Sequence, residues 1–293
     1  VKVLITGSSG FVGRHFVRAL DGHDLHLVDV AAGTDARDFF RLNHTRFDLV
    51  IHLAAVVGGR AQIEGAPLSL AVDLAIDADM FAWAWRTRPY RIVYFSSSAA
   101  YPIDLQNDLS RPYRLHESDL KLTGNIGNPD MTYGWAKLTG EQLAQHAENE
   151  GLRVHVFRPF SGFGEDQDLA YPFPSFIRRA ATRQDPFTVW GDGEQVRDWV
   201  HIDDIVNATL TAVEEDVPGP VNLCTGRDTS FNELAALVCE QAGYKPELRH
   251  ILDAPQGVAY RVGDPTKLNS FYTPKVALED GIASALAATR GRA

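Results

Sequence analysis

The sequence predicts an α/β protein: a Rossmann-type doubly wound parallel sheet with a smaller C-terminal lobe. Three observations predict it. An apolar strand at 1–6 runs directly into the glycine turn Gly7-Ser8-Ser9-Gly10-Phe11-Val12-Gly13 and then into a helix. Further short apolar runs alternate with helical segments, the pattern of βαβ units. After Arg158 the texture changes, with proline, glycine and aromatic residues crowding 159–174.

The glycines of the first turn have separate tasks: a tight turn, close backbone approach to a pyrophosphate, and close packing of helix on strand. The helix that follows, through about Leu20, offers unpaired N–H groups and a positive dipole end to phosphates. A second strand, 25–28, ends in Asp29, an acid placed to hydrogen-bond an adenosine ribose and to repel a 2′-phosphate. Gly7, Ser9, Gly10, Phe11, Val12, Gly13 and Asp29 are therefore the candidate dinucleotide contacts, and Asp29 specifies NAD. A short helix at 36–43 and a buried strand at 48–53 follow. The strand runs through Leu53 into Ala54-Ala55, whose small side chains let the backbone lie against the dinucleotide.

Gly58-Gly59 breaks the chain before a long helix at 68–86 and a strand at 91–95. Residues 101–130 have no period and read as a long loop, which in a compact domain is often functional. A helix at 133–150 and a strand at 152–157 complete the first half. Beyond it, 187–190 and 196–202 are strand-like, Asp203 is placed to cap a helix through Val213, and 221–223 returns to the sheet. Ser230 caps a helix to about Ala242, and a last helix spans 278–288. Residues 1–160 are thus expected to form the NAD domain, with 203–225 returning to it, and 161–293 to be mainly a substrate-binding lobe.

Composition narrows the function. With 45% hydrophobic and 23% charged residues the chain is that of a globular protein. A net charge of −10 disfavours nucleic-acid binding and means an anionic substrate must meet locally placed arginines. No apolar run is long enough to span a bilayer, and the chain opens on its first strand, so no membrane association and a cytoplasmic location are expected. Cys224 and Cys239 sit in apolar surroundings without metal-ligand spacing; they read as small core residues, and no metal site is expected.

Tyr133-Gly134-Trp135-Ala136-Lys137 carries the chemistry. Tyrosine and lysine at i and i+4 share one helix face. An ammonium and a positive nicotinamide nearby would lower the phenol pKa, so that the tyrosine removes a hydroxyl proton while hydride leaves the same carbon. Ser96-Ser97-Ser98 follows the strand at 91–95, at the carboxyl end where open α/β sheets place ligands. A serine there can hydrogen-bond the reacting oxygen, although Ser96 and Ser98 also suit a polar cap at the strand end.

These stretches together resemble the extended short-chain dehydrogenase/reductase family, in particular its NAD-dependent nucleotide-sugar epimerases and dehydratases. The marks are TGSSGFVG at 6–13, HLAA at 52–55, SSSAAYP at 96–102, YGWAK at 133–137, RPFSGFG at 158–164 and VWGDGEQVRDWVHIDD at 189–204. The resemblance implies Ser97, Tyr133 and Lys137 as the catalytic set, with Lys137 also on the cofactor ribose. It implies Arg197, and Arg261 in YRVGDPTK, as ligands of the diphosphate of a nucleotide-diphosphate sugar, with Ser98, Val189 and Tyr171 as further substrate contacts.

Departures from the family decide the reaction. The 4,6-dehydratases carry an Asp-Glu pair just after the Ser/Thr, and the sugar-acid decarboxylases a glutamate; this chain has alanine. GDP-fucose synthase and GDP-mannose 3,5-epimerase place a cysteine where Ala99 stands and a histidine or lysine in the segment matching 171–174, where this chain offers Tyr171. Epimerisation at C4 through a transient ketone is therefore the expected activity. A nucleotide-sugar reductase, dehydrogenase or 3,5-epimerase on the same core is the first alternative, and a non-catalytic NAD sensor the second. Met80, Phe81, Trp83 and Trp85 on the helix from Leu68 suit either core packing or a homodimer face.

Overall fold

The computed structural model describes residues 1–290. The first half runs β1 (Lys2–Thr6), α1 (Phe11–Ala19), β2 (Asp24–Val28), α2 (Ala36–Leu42), β3 (Leu49–His52), α3 (Arg60–Gly65), α4 (Leu70–Thr87), β4 (Arg91–Phe95), β5 (Arg114–Leu115), α5 (Met131–Asn149) and β6 (Val154–Pro159). Then come β7 (Ser161–Phe163), α6 (Pro172–Ala181), β8 (Phe187–Trp190), β9 (Val196–Arg197), β10 (Trp199–His201), α7 (Ile202–Glu214) and β11 (Val221–Leu223). The chain closes with β12 (Thr229–Ser230), α8 (Phe231–Ala242), β13 (Leu248–Ile251), β14 (Tyr260–Gly263), α9 (Thr266–Asn269) and α10 (Leu278–Arg290).

Six strands form one parallel sheet in the order β11-β6-β4-β3-β1-β2. Because strand side chains alternate between faces, β1 sends Val3 and Ile5 to one core and Leu4 to the other. The first core is closed by α1 and α7 through Phe16, Ile205, Ala208 and Ala212. The second is closed by α2, α4 and α5 through Phe40, Met80, Trp83 and Ala144. A third core, with Phe173, Phe176, Val189, Trp199 and Leu234, joins α6, α8, α10 and β8.

Several local expectations change. His201, not Asp203, caps α7: its Nδ1 accepts from the Asp203 N–H at 3.2 Å. Asp203 instead lies in the first turn, where a carboxylate favours the positive end of the helix. The strand expected over 196–202 is two strands, because the chain changes partners at Asp198. β9 pairs with β12 and β14, whereas β10 pairs with β7. Asp198, fully buried, compensates by accepting from the N–H groups of Thr225, Gly226 and Gly263.

Met80, Phe81 and Trp83 are core residues, and only Trp85 of that aromatic set faces outward. Helices α3 and α6 appear where the sequence suggests none. In α6, Pro172 sits at the helix start, where proline is well tolerated, and Phe173, Phe176, Ile177 and Ala180 form its buried stripe. Among the described residues, no helix is long and apolar enough to cross a membrane.

Candidate active site

A cavity of about 380 Å³ opens at the carboxyl ends of β1, β3, β4 and β6. One end of it is the turn from β1 into α1. Gly7 has φ +67°, and a Cβ there would lie 2.8 Å from the carbonyl carbon of Leu53; a Cβ on Gly13 would overlap the Gly7 carbonyl oxygen. Neither position accepts a side chain, so loop, β3 end and helix start are packed backbone to backbone. This sets the start of α1, whose first N–H groups have no intrahelical partner, in the cavity wall, the position from which a helix N-terminus can bind a pyrophosphate. Gly10, Phe11, Val12, Leu53 and Ala55 complete this wall. Ser9, Asp29 and Ala54 do not line the cavity. Asp29 accepts from the Ser9 N–H at 2.9 Å, and Ala54 donates its N–H to Thr6 Oγ1 at 3.2 Å.

Ser97, Ser98, Ala99, Tyr133, Lys137 and Tyr171 meet in the middle of the same cavity. Ser97 caps the short turn after β4, accepting from the Ala99 N–H at 3.1 Å. The Ser96 hydroxyl, by contrast, is donated to the Glu141 carboxylate. Tyr133 enters on the first turns of α5, which are held to this loop by the bond from the Asp130 N–H to the Ala99 oxygen, 2.9 Å. The fit places Met131 at φ +59°, a left-handed conformation that costs a non-glycine residue roughly 1 kcal/mol or more.

Lys137 is buried, with Nζ 5.7 Å from the Tyr133 ring centroid and 5.2 Å from that of Tyr94. Burial works against its charge, but Tyr133, Asp77, Asp73 and Glu141 outweigh burial and hold the ammonium above its ordinary pKa. Asp77 is itself fixed by a buried network. Tyr94 donates to it at 2.6 Å, and His52 Nε2 lies 3.1 Å away, with His52 Nδ1 on the Thr6 hydroxyl at 2.8 Å. This buried chain links the β1 strand end to the lysine.

The spacing of Tyr133 and Lys137 predicts a phenol pKa lowered by the lysine. The lysine does pull downward, as does a hydrogen bond with Ser97, but burial is the larger influence, Asp73 and Asp77 add to it, and the phenol lies above its ordinary value. The protein's own groups thus keep Tyr133 protonated. Burial, then the nearby Tyr133, pushes the Tyr171 phenol up to about 12.

Arg197 and Arg261 form the far end of the cavity, with Trp199 and Phe231. The Arg197 guanidinium lies over the Phe231 ring, 5.6 Å from its centroid, and donates to the carbonyls of Val196 and Val258 at 2.7 and 2.9 Å. Burial and then Arg261 push Arg197 down to about 9, against the opposing pull of Asp130. A half-buried guanidinium under that pressure is a strong attractor for an anion. Val189 is not part of this arrangement: its side chain is fully buried in the third core and does not reach the cavity.

Two residues that the sequence does not single out, Asp130 and Arg60, stand beside these arginines. Asp130 receives Arg60 Nη2 at 2.8 and 2.9 Å and Arg261 Nη2 at 2.8 Å. Asp73 and Asp77 also act on Lys137 without a sequence assignment; their signal is two acids one helical turn apart on a helix face whose other buried residues are apolar. Among the described residues, no group of three or more His, Cys, Asp or Glu is placed to hold a metal.

Glycine cradle, Tyr/Lys pair and doubly wound sheet are the arrangement expected of a dinucleotide-binding protein. Residues 3–224 match the NAD-dependent epimerase/dehydratase family, and the chain belongs to it, with NAD as cofactor. It is 27% identical to GDP-mannose 3,5-epimerase 1 of Oryza sativa subsp. indica, over 96% of this chain and 80% of that protein. It is likewise 27% identical to a putative UDP-glucose 4-epimerase of Methanocaldococcus jannaschii, over 96% of this chain and 95% of that one. In fold it is similar to the UDP-glucose 4-epimerase of Thermotoga maritima solved with UDP-glucose, at a TM-score of 0.85 and 24% identity, covering 100% and 99% of the two chains.

Proposed function

We propose that this enzyme is an NAD-dependent nucleotide-sugar epimerase acting at C4 through a transient 4-keto sugar. One observation carries the reading. Ser97, Tyr133 and Lys137 converge in a cavity bounded by the glycine cradle at one end and Arg197 and Arg261 at the other, while the neighbouring wall position is Ala99. The cradle would hold the pyrophosphate of NAD, Asp29 the adenosine ribose and Lys137 the nicotinamide ribose. Bound NAD supplies reversible hydride acceptance at the sugar carbon.

The protein's part is proton transfer and placement. Tyr133, as the phenolate that Lys137 and the positive charge of bound NAD would favour, takes the C4 hydroxyl proton and later returns it to the same oxygen once the sugar has turned over. Ser97 hydrogen-bonds that oxygen in both directions. Lys137, its charge maintained by Tyr133, Asp77 and Asp73, stabilises the phenolate before the proton is taken and after it is returned. Arg197 and Arg261 hold the diphosphate as a pivot while the sugar turns over.

Removing a proton at C3 or C5 needs a base of suitable pKa within reach. Ala99 supplies none, and the Tyr171 phenol, pushed up to about 12, is poorly suited. This favours C4 over the 3,5-epimerase reading, although a relative bears that name. A sugar nucleotide carrying deuterium at C4 tests the proposal. The label is expected to stay at C4 in the epimeric product, with no solvent exchange at C3 or C5. Exchange at C3 or C5 would move the function to 3,5-epimerisation with Tyr171 as acid. Net consumption of added NADH would make it a reductase, and bound NAD with no sugar turned over would make it a sensor.

A further inference from the structure

We propose that Asp130 and Arg60 set the net charge of the anion site at +2, so that it selects a diphosphate diester over a nucleoside diphosphate with a free terminal phosphate. The inference rests on the nucleotide-sugar reading above and extends it to how substrate is told from its own hydrolysis product.

Arg197 and Arg261 line the cavity; Asp130, bonded to Arg261, and Arg60, bonded to Asp130, complete a charged cluster without lining it themselves. The Asp130 carboxylate is 6% exposed and lies between Arg60 and Arg261, each with a nitrogen at 2.8 Å. Arg261 is oriented by its Nε–H, which donates to the buried Gln106 carboxamide oxygen at 2.6 Å. Arg197 makes no bond to a carboxylate among the described residues; its donors go to backbone carbonyls. Although burial alone would raise it, Arg261 and Arg60 hold the Asp130 carboxyl below the ordinary range, so it is ionised at neutral pH. Arg60 also bonds Glu64, but Glu64 is 45% exposed, and an exposed i,i+4 ion pair of this kind contributes little, so Glu64 is left out of the count.

The sum at this end of the cavity is therefore three positive charges and one negative. A nucleotide sugar, whose diphosphate is esterified at both ends, carries two negative charges and neutralises the site. A nucleoside diphosphate carries close to a third, from its free terminal phosphate. In a partly desolvated site an uncompensated charge is costly, so the extra charge counts against it. Arg60 also fits tightly: a Cβ on Gly257 would lie 2.8 Å from its Nε. The guanidinium is built in from the first residue of α3, and α5, which carries Tyr133, contributes the balancing acid through its N-cap.

Calorimetry on the whole chain with UDP and UDP-glucose, and with GDP and GDP-mannose, tests this. Asp130→Asn keeps shape and takes the site to +3. The ratio of diester to nucleoside diphosphate affinity is expected to shift toward the nucleoside diphosphate by about tenfold or more, the scale of one charge in a partly screened site. Arg60→Gln, at +1, should shift the ratio the other way. The double variant returns to +2 and should return to the wild-type ratio, which a merely structural role for either residue would not produce. Ratios unchanged in both single variants, or a double variant that keeps the ratio of Asp130→Asn alone, overturn the charge assignment and leave the epimerase reading standing. A wild-type protein that binds the nucleoside diphosphates but no nucleotide sugar overturns both.

Discussion

The carboxylate of Asp29 is bonded to the glycine loop: its Oδ2 accepts from the Ser9 N–H at 2.9 Å and its Oδ1 from the Ala31 N–H at 2.8 Å. The acid that ends β2 therefore shapes the loop, and under the proposed reading its remaining lone pairs would meet the adenosine ribose. Asp29→Ala is expected to weaken NAD binding and to erode discrimination against NADP by about 1–3 kcal/mol, the range of a charge-assisted hydrogen bond. Asp29→Asn keeps one backbone acceptor and should lose discrimination with a smaller loss of NAD affinity. Direct titration of both nucleotides checks this; equal NAD and NADP affinity in the wild type would contradict it.

Tyr133→Phe keeps the half-buried ring and deletes the hydroxyl. Turnover should fall by roughly 10²–10⁴, the usual contribution of general acid–base catalysis, with thermal stability and NAD affinity nearly unchanged. Lys137→Met should lose as much turnover and also loosen NAD. It further leaves Asp77 and Asp73 buried without their cation, so this variant should be less stable than Tyr133→Phe. Steady-state rates and melting curves on the two variants separate the roles.

Arg197→Ala should weaken nucleotide-sugar binding by about 1.5–3 kcal/mol, as expected for loss of a hydrogen bond to a charged group, while NAD binding stays intact. Calorimetry with the protein loaded with NAD measures both. Unchanged nucleotide-sugar affinity would remove Arg197 from the diphosphate site.

Gly140 faces Tyr94 across the α5–sheet contact. Helix propensity alone predicts that Gly140→Ala stabilises by about 1 kcal/mol. The packing predicts the opposite, because a Cβ there would overlap the Tyr94 hydroxyl oxygen and lie 2.7 Å from Asp77 Oδ2. Overpacking of this kind typically costs about 1–3 kcal/mol, and it would displace the Tyr94–Asp77 bond beneath Lys137. Resistance to urea and turnover should therefore fall together in this variant; a more stable variant with full activity would refute the account.

Where function is written in contiguous residues, it is legible directly. The glycine turn sits at a strand end and the Tyr133/Lys137 pair on one helix face, so spacing places them at one cavity; Ser97 is told from Ser96 and Ser98 only by the family resemblance. Arg60 and Asp130 cannot be found that way: they are 70 residues apart, and neither has a periodic neighbour that marks it. Val189 misleads for a related reason. It belongs to a stretch with family character, but strand alternation turns its side chain into the core. Helix α6 is obscured because its prolines resemble loop signals, whereas Pro172 at a helix start and the Phe173–Phe176–Ile177–Ala180 spacing are helix signals. His201 is an unobvious cap because its ring nitrogen, not an acid or hydroxyl, accepts the bond.

Arg158 at the end of β6 is 1% exposed and forms a two-pronged pair with Glu141 of α5, at 2.9 and 2.7 Å. It also donates to the Tyr101 hydroxyl at 2.8 Å, which in turn donates to Asn222 of β11 at 2.7 Å. Breaking such a pair by removing one partner costs about 3–5 kcal/mol. Helix, long loop and edge strand are thereby made to open as a single event, so amide protons on β11, an edge strand otherwise prone to fraying, should exchange with solvent as slowly as those on β6 beside it.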